Sequence, residues 1–274
     1  MTTSLRSIGP VMLVGAGKMG VALARGWLDA GLPASNLLLV DPNPGEAARQ
    51  LADDYGLTLS TEALGLQPNV LVLAVKPQII DTVMATLAPV IGPQTLVLSI
   101  AAGIDIARLS RGFGMGRVVR TMPNTPAQLG KGITGAVPGP DVNAQDRDNA
   151  EALLRAAGPV VWFDDENQLD TVTAVSGSGP AYVFHLVEAL AAAGKAQGLP
   201  DAVAEQLARQ TVIGSAALLE ADPAPPATLR ENVTSPNGTT AAGLGVLMGE
   251  NGLTELIGRT VAAARQRSEE LGRS

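Results

Sequence analysis

Short apolar runs alternate with longer amphipathic stretches over the first three fifths of this 274-residue chain, and then the runs stop. The runs are Val11–Val14, Leu37–Val40, 70–75 (VLVLAV), 95–100 (TLVLSI), 117–122 (RVVRTM) and 160–163 (VVWF). Each has the length and the Val, Ile and Leu content of a buried strand. After the first, VALARGWLDAGL sets Val21, Leu23, Ala24, Trp27 and Leu28 at helical spacing. Strands alternating with helices predict an α/β fold over residues 1–164, a parallel, doubly wound sheet. From residue 165 to 274 the strand signal is absent, and helical periodicity runs through 174–199, 202–220 and 243–271, with a Pro-rich break at 221–229. An all-α second domain is expected there. Its helices are rich in Ala, and aromatics make up 3% of the chain, so they bury surface mainly by close backbone approach. Such a core is thin, and a partner subunit is expected to complete it.

Composition narrows the function classes. A net charge of −7 with no concentration of Lys and Arg leaves no electrostatic footprint for nucleic acid, and disfavours an anionic membrane surface. There is no cysteine and one histidine, His185, so thiolate chemistry is excluded and no metal site is expected. The apolar runs are too short to span a bilayer and the N-terminus MTTSLRSIGP lacks an apolar signal core, which predicts a cytoplasmic protein.

The first run leads into Gly15-Ala16-Gly17-Lys18-Met19-Gly20, a strand, glycine turn and helix in succession. Gly15 permits the tight turn, Gly17 lets a pyrophosphate approach the backbone, and Gly20 lets helix and strand pack closely. The next strand ends at Asp41-Pro42, 21 residues after Gly20, where a carboxylate accepts from adenosine ribose hydroxyls. Together these predict a Rossmann-like dinucleotide site. The other strand ends carry small or turn-forming clusters: Ala74-Val75-Lys76-Pro77, Ala101-Ala102-Gly103 and Met122-Pro123-Asn124. All are assigned to the cofactor side, although a solvated strand-end lysine is the commoner fate of a residue such as Lys76.

A hydride donor needs a C=O or C=N acceptor. Ketone reduction develops alkoxide charge and calls for a positioned acid, and the chain is poor in candidates: His185, Tyr55, Tyr182 and four lysines, Lys18, Lys76, Lys131 and Lys195. His185 reads as a packing or surface residue and Lys195 as a solvated helix-end residue. An imine nitrogen is basic enough to be protonated beforehand, so hydride neutralises a cation and a hydroxyl that orients the nitrogen suffices. The stretch 235–240 (SPNGTT) offers loop amides opening onto a helix N-terminus, with Ser235, Thr239 and Thr240 as hydroxyls.

The stretches VGAGKMG, LAVKPQ, LSIAAGI, MPNTPA, SGSGPAY and LRENVTSPNGTTAAGL stand in an order that resembles pyrroline-5-carboxylate reductase over essentially the whole chain. The resemblance implies reduction of 1-pyrroline-5-carboxylate to L-proline by NADH or NADPH. It further implies a Rossmann-like domain followed by a helical dimerisation and substrate-binding domain, and a homodimer that in larger rings makes a decamer. Carried over by position, the loop of Val233, Thr234, Ser235, Pro236, Asn237, Gly238, Thr239 and Thr240 holds the substrate carboxylate on its amides, with Ser178 and Gly179 joining it. Thr240 hydrogen-bonds the imine nitrogen. The family's interdigitated dimer implies a site shared between subunits.

Two departures from the family pattern stand out. Asn237-Gly238 replaces the more usual Gly-Gly, and Asn is the residue other than Gly that best tolerates a left-handed backbone, so the turn is expected to survive. Asp41 stands where members preferring NADPH have a small hydroxyl residue, and Thr61 near where they have an asparagine. An anion at Asp41 repels a 2′-phosphate and favours NADH, with Arg49 and Lys18 the cations able to compensate. Two rivals remain. A hydroxy-acid or ketopantoate-type reductase of the same build needs a catalytic lysine early in the second domain, and 172–193 contains none. A non-catalytic dinucleotide sensor predicts decay of the SPNGTT and SGSGPAY stretches, which are intact.

Overall fold

The computed structural model describes residues 3–63, 65 and 67–272. Eight strands form one sheet: β1 (Val11–Val14), β2 (Leu37–Val40), β3 (Thr58–Ser60), β4 (Val70–Leu73), β5 (Leu96–Ser99), β6 (Val118–Pro123), β7 (Thr134–Pro138) and β8 (Val160–Trp162). Their order is β3-β2-β1-β4-β5-β6-β7-β8, and every pairing is parallel except β6 with β7. The reversal of order between β1 and β4 places a crevice at the carboxyl ends of these two strands, where doubly wound sheets bind ligands.

Burial on both faces explains why the central strands are continuously apolar. Leu13, Leu39, Val72 and Leu98 belong to one core cluster, and their neighbours Met12, Leu38, Leu71 and Val97 to the other. One layer is α1 (Lys18–Asp29) with α5 (Ala144–Arg155); on α1, Trp27 is fully buried and donates its indole N–H to Leu153 O at 2.8 Å. A Cβ at Gly26 would lie 3.1 Å from Ala156 O, so the α1–α5 contact is a backbone approach. The other layer brings α3 (Ile80–Leu87) and α4 (Ile106–Phe113) onto Leu71 and Leu73. Helix α2 (Glu46–Tyr55) follows β2.

Helix α5 starts on a capping box, with Asn143 Oδ1 accepting from Asp146 N–H at 2.9 Å and Asp146 Oδ2 accepting from Asn143 N–H at 3.1 Å. Asn143→Ala removes one cap and is expected to lower unfolding free energy by about 1 kcal/mol in a urea titration, with the slope unchanged.

The chain divides into two compact units, 1–177 with 265–274, and 178–264. The division lies later than the expected 164/165 because α6 (Gln168–Val172) and the π-helical turn Thr173–Gly177 pack with β6 and β7, Leu169 and Val172 clustering with Ile106 and Val137. The second unit holds α7 (Gly179–Ala196), α8 (Asp201–Ala221), α9 (Pro226–Asn232), α10 (Thr239–Leu247) and most of α11 (Leu253–Gly272). Helix α9 begins inside the expected break, with proline at its start where no N–H is needed. The expected stretch 243–271 is two helices, because Asn251 takes φ 57° in the GENG turn between them. Among the described residues of this unit, the buried hydrophobics are Ala191, Ala204 and Ala208, while Phe184, Leu207, Leu218 and Val246 are more than half exposed. Helices α7 and α8 meet through small groups, a Cβ at Gly194 falling 3.4 Å from the Cβ of Ala204. No helix among the described residues is long and apolar enough to cross a membrane.

Candidate active site

The glycine turn after β1 has three glycines with three different surroundings. Gly15 has φ 98°, and a Cβ there would lie 2.6 Å from Ala74 O, at the end of β4. A Cβ at Gly20 would lie 2.1 Å from Gly15 O, so turn and helix close on each other. At Gly17, the N-cap of α1, a Cβ would meet nothing within 4 Å, and no side chain caps the helix. The packing demands of the fold therefore account for Gly15 and Gly20 but not for Gly17. An open glycine at an uncapped helix N-terminus suits close approach by a phosphate group.

Asp41 is fastened to that turn. Its Oδ2 accepts from Ala16 N–H at 2.7 Å and its Oδ1 from Asn43 N–H at 2.8 Å. The carboxylate so fixed borders a cleft of about 680 Å³ whose wall includes Gly17, Lys18, Arg25, Gly45 and Gln128. Sequence spacing foresaw Ala16, Gly17, Lys18 and Asp41 of this wall, and missed Arg25, Asn43, Gly45 and Gln128. Arg25 follows Lys18 by two helical turns on one face of α1, a signal present in the sequence. Gln128 comes from the 3-10 turn Thr125–Leu129 after β6, and nothing in the local pattern points to it. Of the two cations named as able to compensate Asp41, Lys18 lines the cleft and Arg49 does not; Arg25 also lines it, with its guanidinium 3.8 Å from Asp54.

The remaining strand ends follow from the topology. Lys76 is exposed ahead of the 3-10 turn Pro77–Ile79 and forms no ion pair among the described residues. Ala101 is buried in the core cluster beneath α3 and α4, so its backbone alone is available. Gly103, at φ 74°, lies against the last turn of α11, a Cβ there falling 3.6 Å from Leu271 O. Met122 and Pro123 are inside β6, and a Cβ at Gly177 would meet Met122 Cε at 2.8 Å. Asn124 spends its side-chain amide on the protein, donating to Ser176 O at 3.2 Å and accepting from Ile133 N–H at 2.9 Å.

In the second unit, residues Ser235-Pro236-Asn237-Gly238 make a tight turn closed by Gly238 N–H donating to Ser235 O at 3.1 Å. Asn237 has φ 58°, and Pro236 precedes it, the residue choice of a type II turn. Gly238 packs closely on the turn, where a Cβ would displace the Ser235 hydroxyl and lie 3.2 Å from Ser235 O. It is the N-cap of α10, which has no side-chain cap, so Thr239 and Thr240 occupy the first turn. The hydroxyls divide into two sets. Thr234 Oγ1 is committed to Arg230 O at 2.6 Å and Ser176 Oγ to Val172 O at 3.0 Å. Ser178, Ser235, Thr239 and Thr240 make no side-chain hydrogen bond among the described residues, and Thr240 is exposed.

Three of the stronger acids are engaged with carboxylates. The His185 side chain is 80% exposed and sits 3.0 Å from Glu188. Lys195, expected to be solvated, instead ties α7 to α8 through Glu205 at 2.9 Å and Asp201 at 3.6 Å. The Glu205 carboxylate accepting from it holds its ammonium above the usual lysine range, so it is not poised to exchange a proton near neutrality. Tyr55 donates to Asp29 and its phenol is pushed up by that bond.

Comparison with known proteins matches residues 166–271 to the family model for pyrroline-5-carboxylate reductase dimerisation, and residues 10–103 to that for NADP oxidoreductase, coenzyme F420-dependent. The pyrroline-5-carboxylate reductase of Pseudomonas aeruginosa is 42% identical over 265 residues, spanning 95% of this chain and 96% of the relative. That of Synechocystis is 40% identical over 95% of this chain and 97% of its own length. Among solved structures, a pyrroline-5-carboxylate reductase from Coxiella burnetii superposes with a TM-score of 0.89 at 32% identity, over 97% of this chain and 99% of that one. The Plasmodium falciparum pyrroline carboxylate reductase, solved with NADP bound, gives a TM-score of 0.80 at 29% identity over the same shares.

Proposed function

This chain belongs to the pyrroline-5-carboxylate reductase family, and from that premise we propose how its residues divide the NAD(P)H-dependent reduction of 1-pyrroline-5-carboxylate to L-proline, the last step of proline biosynthesis. The bound dinucleotide supplies the hydride that adds to the imine carbon, leaving the proton on nitrogen. The first unit holds the dinucleotide. Amides at the N-terminus of α1 would receive the pyrophosphate over Gly17, and the Asp41 carboxylate would accept from the adenosine ribose hydroxyls.

The second unit supplies the substrate side. The turn amides around Gly238 and the uncapped N-terminus of α10 receive the substrate carboxylate, with Ser178 and Gly179 beside it. Thr240 hydrogen-bonds the imine nitrogen. The observation that carries this assignment is that Thr240 keeps an unpartnered hydroxyl on the first turn of α10 while His185 and Lys195 are paired with carboxylates elsewhere. A hydroxyl that orients an already protonated nitrogen is enough, because hydride addition removes positive charge. The apolar faces exposed on α7, α8 and α10 are the surface a second copy covers, so each site is completed across a dimer.

Cofactor preference follows from charge at the cleft. The cleft wall carries Lys18 and Arg25 as well as Glu46, but the Asp41 carboxylate is fixed at the strand end by two backbone N–H groups, and we read this fixed anion as favouring NADH over the 2′-phosphorylated form. Asp41→Ser is expected to shift the ratio of kcat/KM toward NADPH by roughly tenfold, the equivalent of about 1.4 kcal/mol. Because Asp41 also holds the Ala16 amide, the variant should lose some NADH affinity at the same time. A wild-type enzyme that already prefers NADPH would refute this reading of the strand end.

A further inference from the structure

We infer that Asn124 is a positioning residue of the substrate side: its amide holds the π-helical turn Thr173–Gly177 through the Ser176 carbonyl and so sets the course of Ser178 and Gly179. This rests on the proposed placement of Ser178 and Gly179 beside the substrate. In an α-helix the Ser176 carbonyl would accept from the N–H of residue 180, but residue 180 is proline and has none. The orphaned carbonyl is met from outside the helix, by Asn124 Nδ2 at 3.2 Å. The hydroxyls within the turn do not serve it, since Thr173 Oγ1 bonds back to Leu169 O at 2.8 Å and Ser176 Oγ to Val172 O at 3.0 Å.

Asn124 is itself immobilised. Its Oδ1 accepts from Ile133 N–H at 2.9 Å, one residue ahead of β7, so strand end, β7 and π turn are joined through one side chain. Packing reinforces the junction: the room for a Cβ at Gly177 is already taken by Met122 Cε. One residue further on, the chain enters Ser178 and Gly179, and at Gly179 a Cβ would meet nothing within 4 Å. Single π-helical turns are rare and recur at functional sites. Asn124, placed by its sequence among cofactor contacts, therefore acts at one remove from the reaction, on the backbone of the substrate side.

The test uses full-length Asn124→Ala and Asn124→Asp, the second keeping an acceptor for Ile133 N–H while removing the donor. Hydrogen exchange of the 173–181 amides should quicken in both, and KM for pyrroline-5-carboxylate should rise by roughly tenfold, the low end for a carbonyl left unpaired. The Kd for NADH, measured by fluorescence in the absence of substrate, should stay within about twofold, well below a one-decade change. Adding Pro180→Ala to Asn124→Ala supplies the missing N–H to Ser176 O and should recover most of the KM, which loss of a cofactor contact would not allow. A weakened NADH Kd with unchanged exchange would overturn the inference and make Asn124 a cofactor contact. Unchanged exchange with normal kinetics, or quickened exchange with a normal KM, would overturn it too. Gly179→Ala, for which the fold has space, separates this from the underlying reading: if residues 178–179 do not meet substrate, that variant also keeps a normal KM, whereas a failed role for Asn124 leaves Gly179→Ala impaired and Asn124→Ala normal.

Discussion

Thr240→Ala is expected to lower kcat/KM for pyrroline-5-carboxylate by roughly 10²-fold or more, the low end of what a positioned proton donor contributes, while the Kd for NADH barely moves. The hydroxyl is exposed, caps nothing and bonds to nothing among the described residues, so its removal leaves no buried group unpaired and stability should be unchanged. The loss therefore reads as chemistry. Thr240→Ser keeps the hydroxyl and should keep much of the activity. Its neighbours Ser235 and Thr239 carry equally unpartnered hydroxyls. Full activity in Thr240→Ala, with a deficit in Ser235→Ala or Thr239→Ala instead, would move the assignment along the loop.

Two inactive variants mixed as subunits should regain about a quarter of wild-type activity. One is Thr240→Ala; the other is Gly17→Leu, which fills the space over the α1 N-terminus. Gly17 is the right glycine for this purpose because a Cβ there meets no protein atom within 4 Å, whereas at Gly15 or Gly20 it would strike backbone at 2.6 or 2.1 Å and disturb the fold itself. If each site takes its dinucleotide from one subunit and its loop from the other, a mixed dimer holds one site with both lesions and one with neither. Equal amounts unfolded and refolded together give roughly half mixed dimers, each with one good site. If both parts come from one subunit, every combination stays inactive, and activity no greater than the sum of the separate variants, with mixed dimers confirmed by mass, would show that. The second unit supplies the motive, having alanines for a core and Phe184, Leu207 and Val246 in the open.

The parts of the fold that were legible in the sequence are those where one physical requirement dominates. Strands β1, β2, β4 and β5 are buried on both faces and must be apolar throughout, so they stand out as runs. Strand β3, the polar Thr58-Leu59-Ser60 at the sheet edge, needs only one Leu, and β7 carries Gly135 and Pro138 and pairs antiparallel with β6, so neither shows a run. Helical periodicity located α7 and α8 but ran across the turn at Asn251, because a single left-handed residue does not interrupt the apolar pattern on either side. At the cleft beside Asp41, Gly17 and Asp41 stood out because backbone geometry and spacing fix them. Gln128 did not, since it reaches the cleft through a turn some hundred residues from the glycines. The bond from Asn124 to Ser176 joins positions 52 apart, and its one local sign is the proline four residues after Ser176.

The measurement that bears most directly on this account is the rate of NADH oxidation by the wild-type protein with pyrroline-5-carboxylate, set against a panel of keto acids under the same conditions. A site that orients a protonated nitrogen with a hydroxyl and has no stronger acid at hand should form proline one-for-one with NADH consumed. It should reduce the keto acids with kcat/KM below about a hundredth of the imine value, the factor that a missing general acid costs. Keto-acid reduction at a comparable kcat/KM would contradict the account and mean that a proton donor other than Thr240 serves the site.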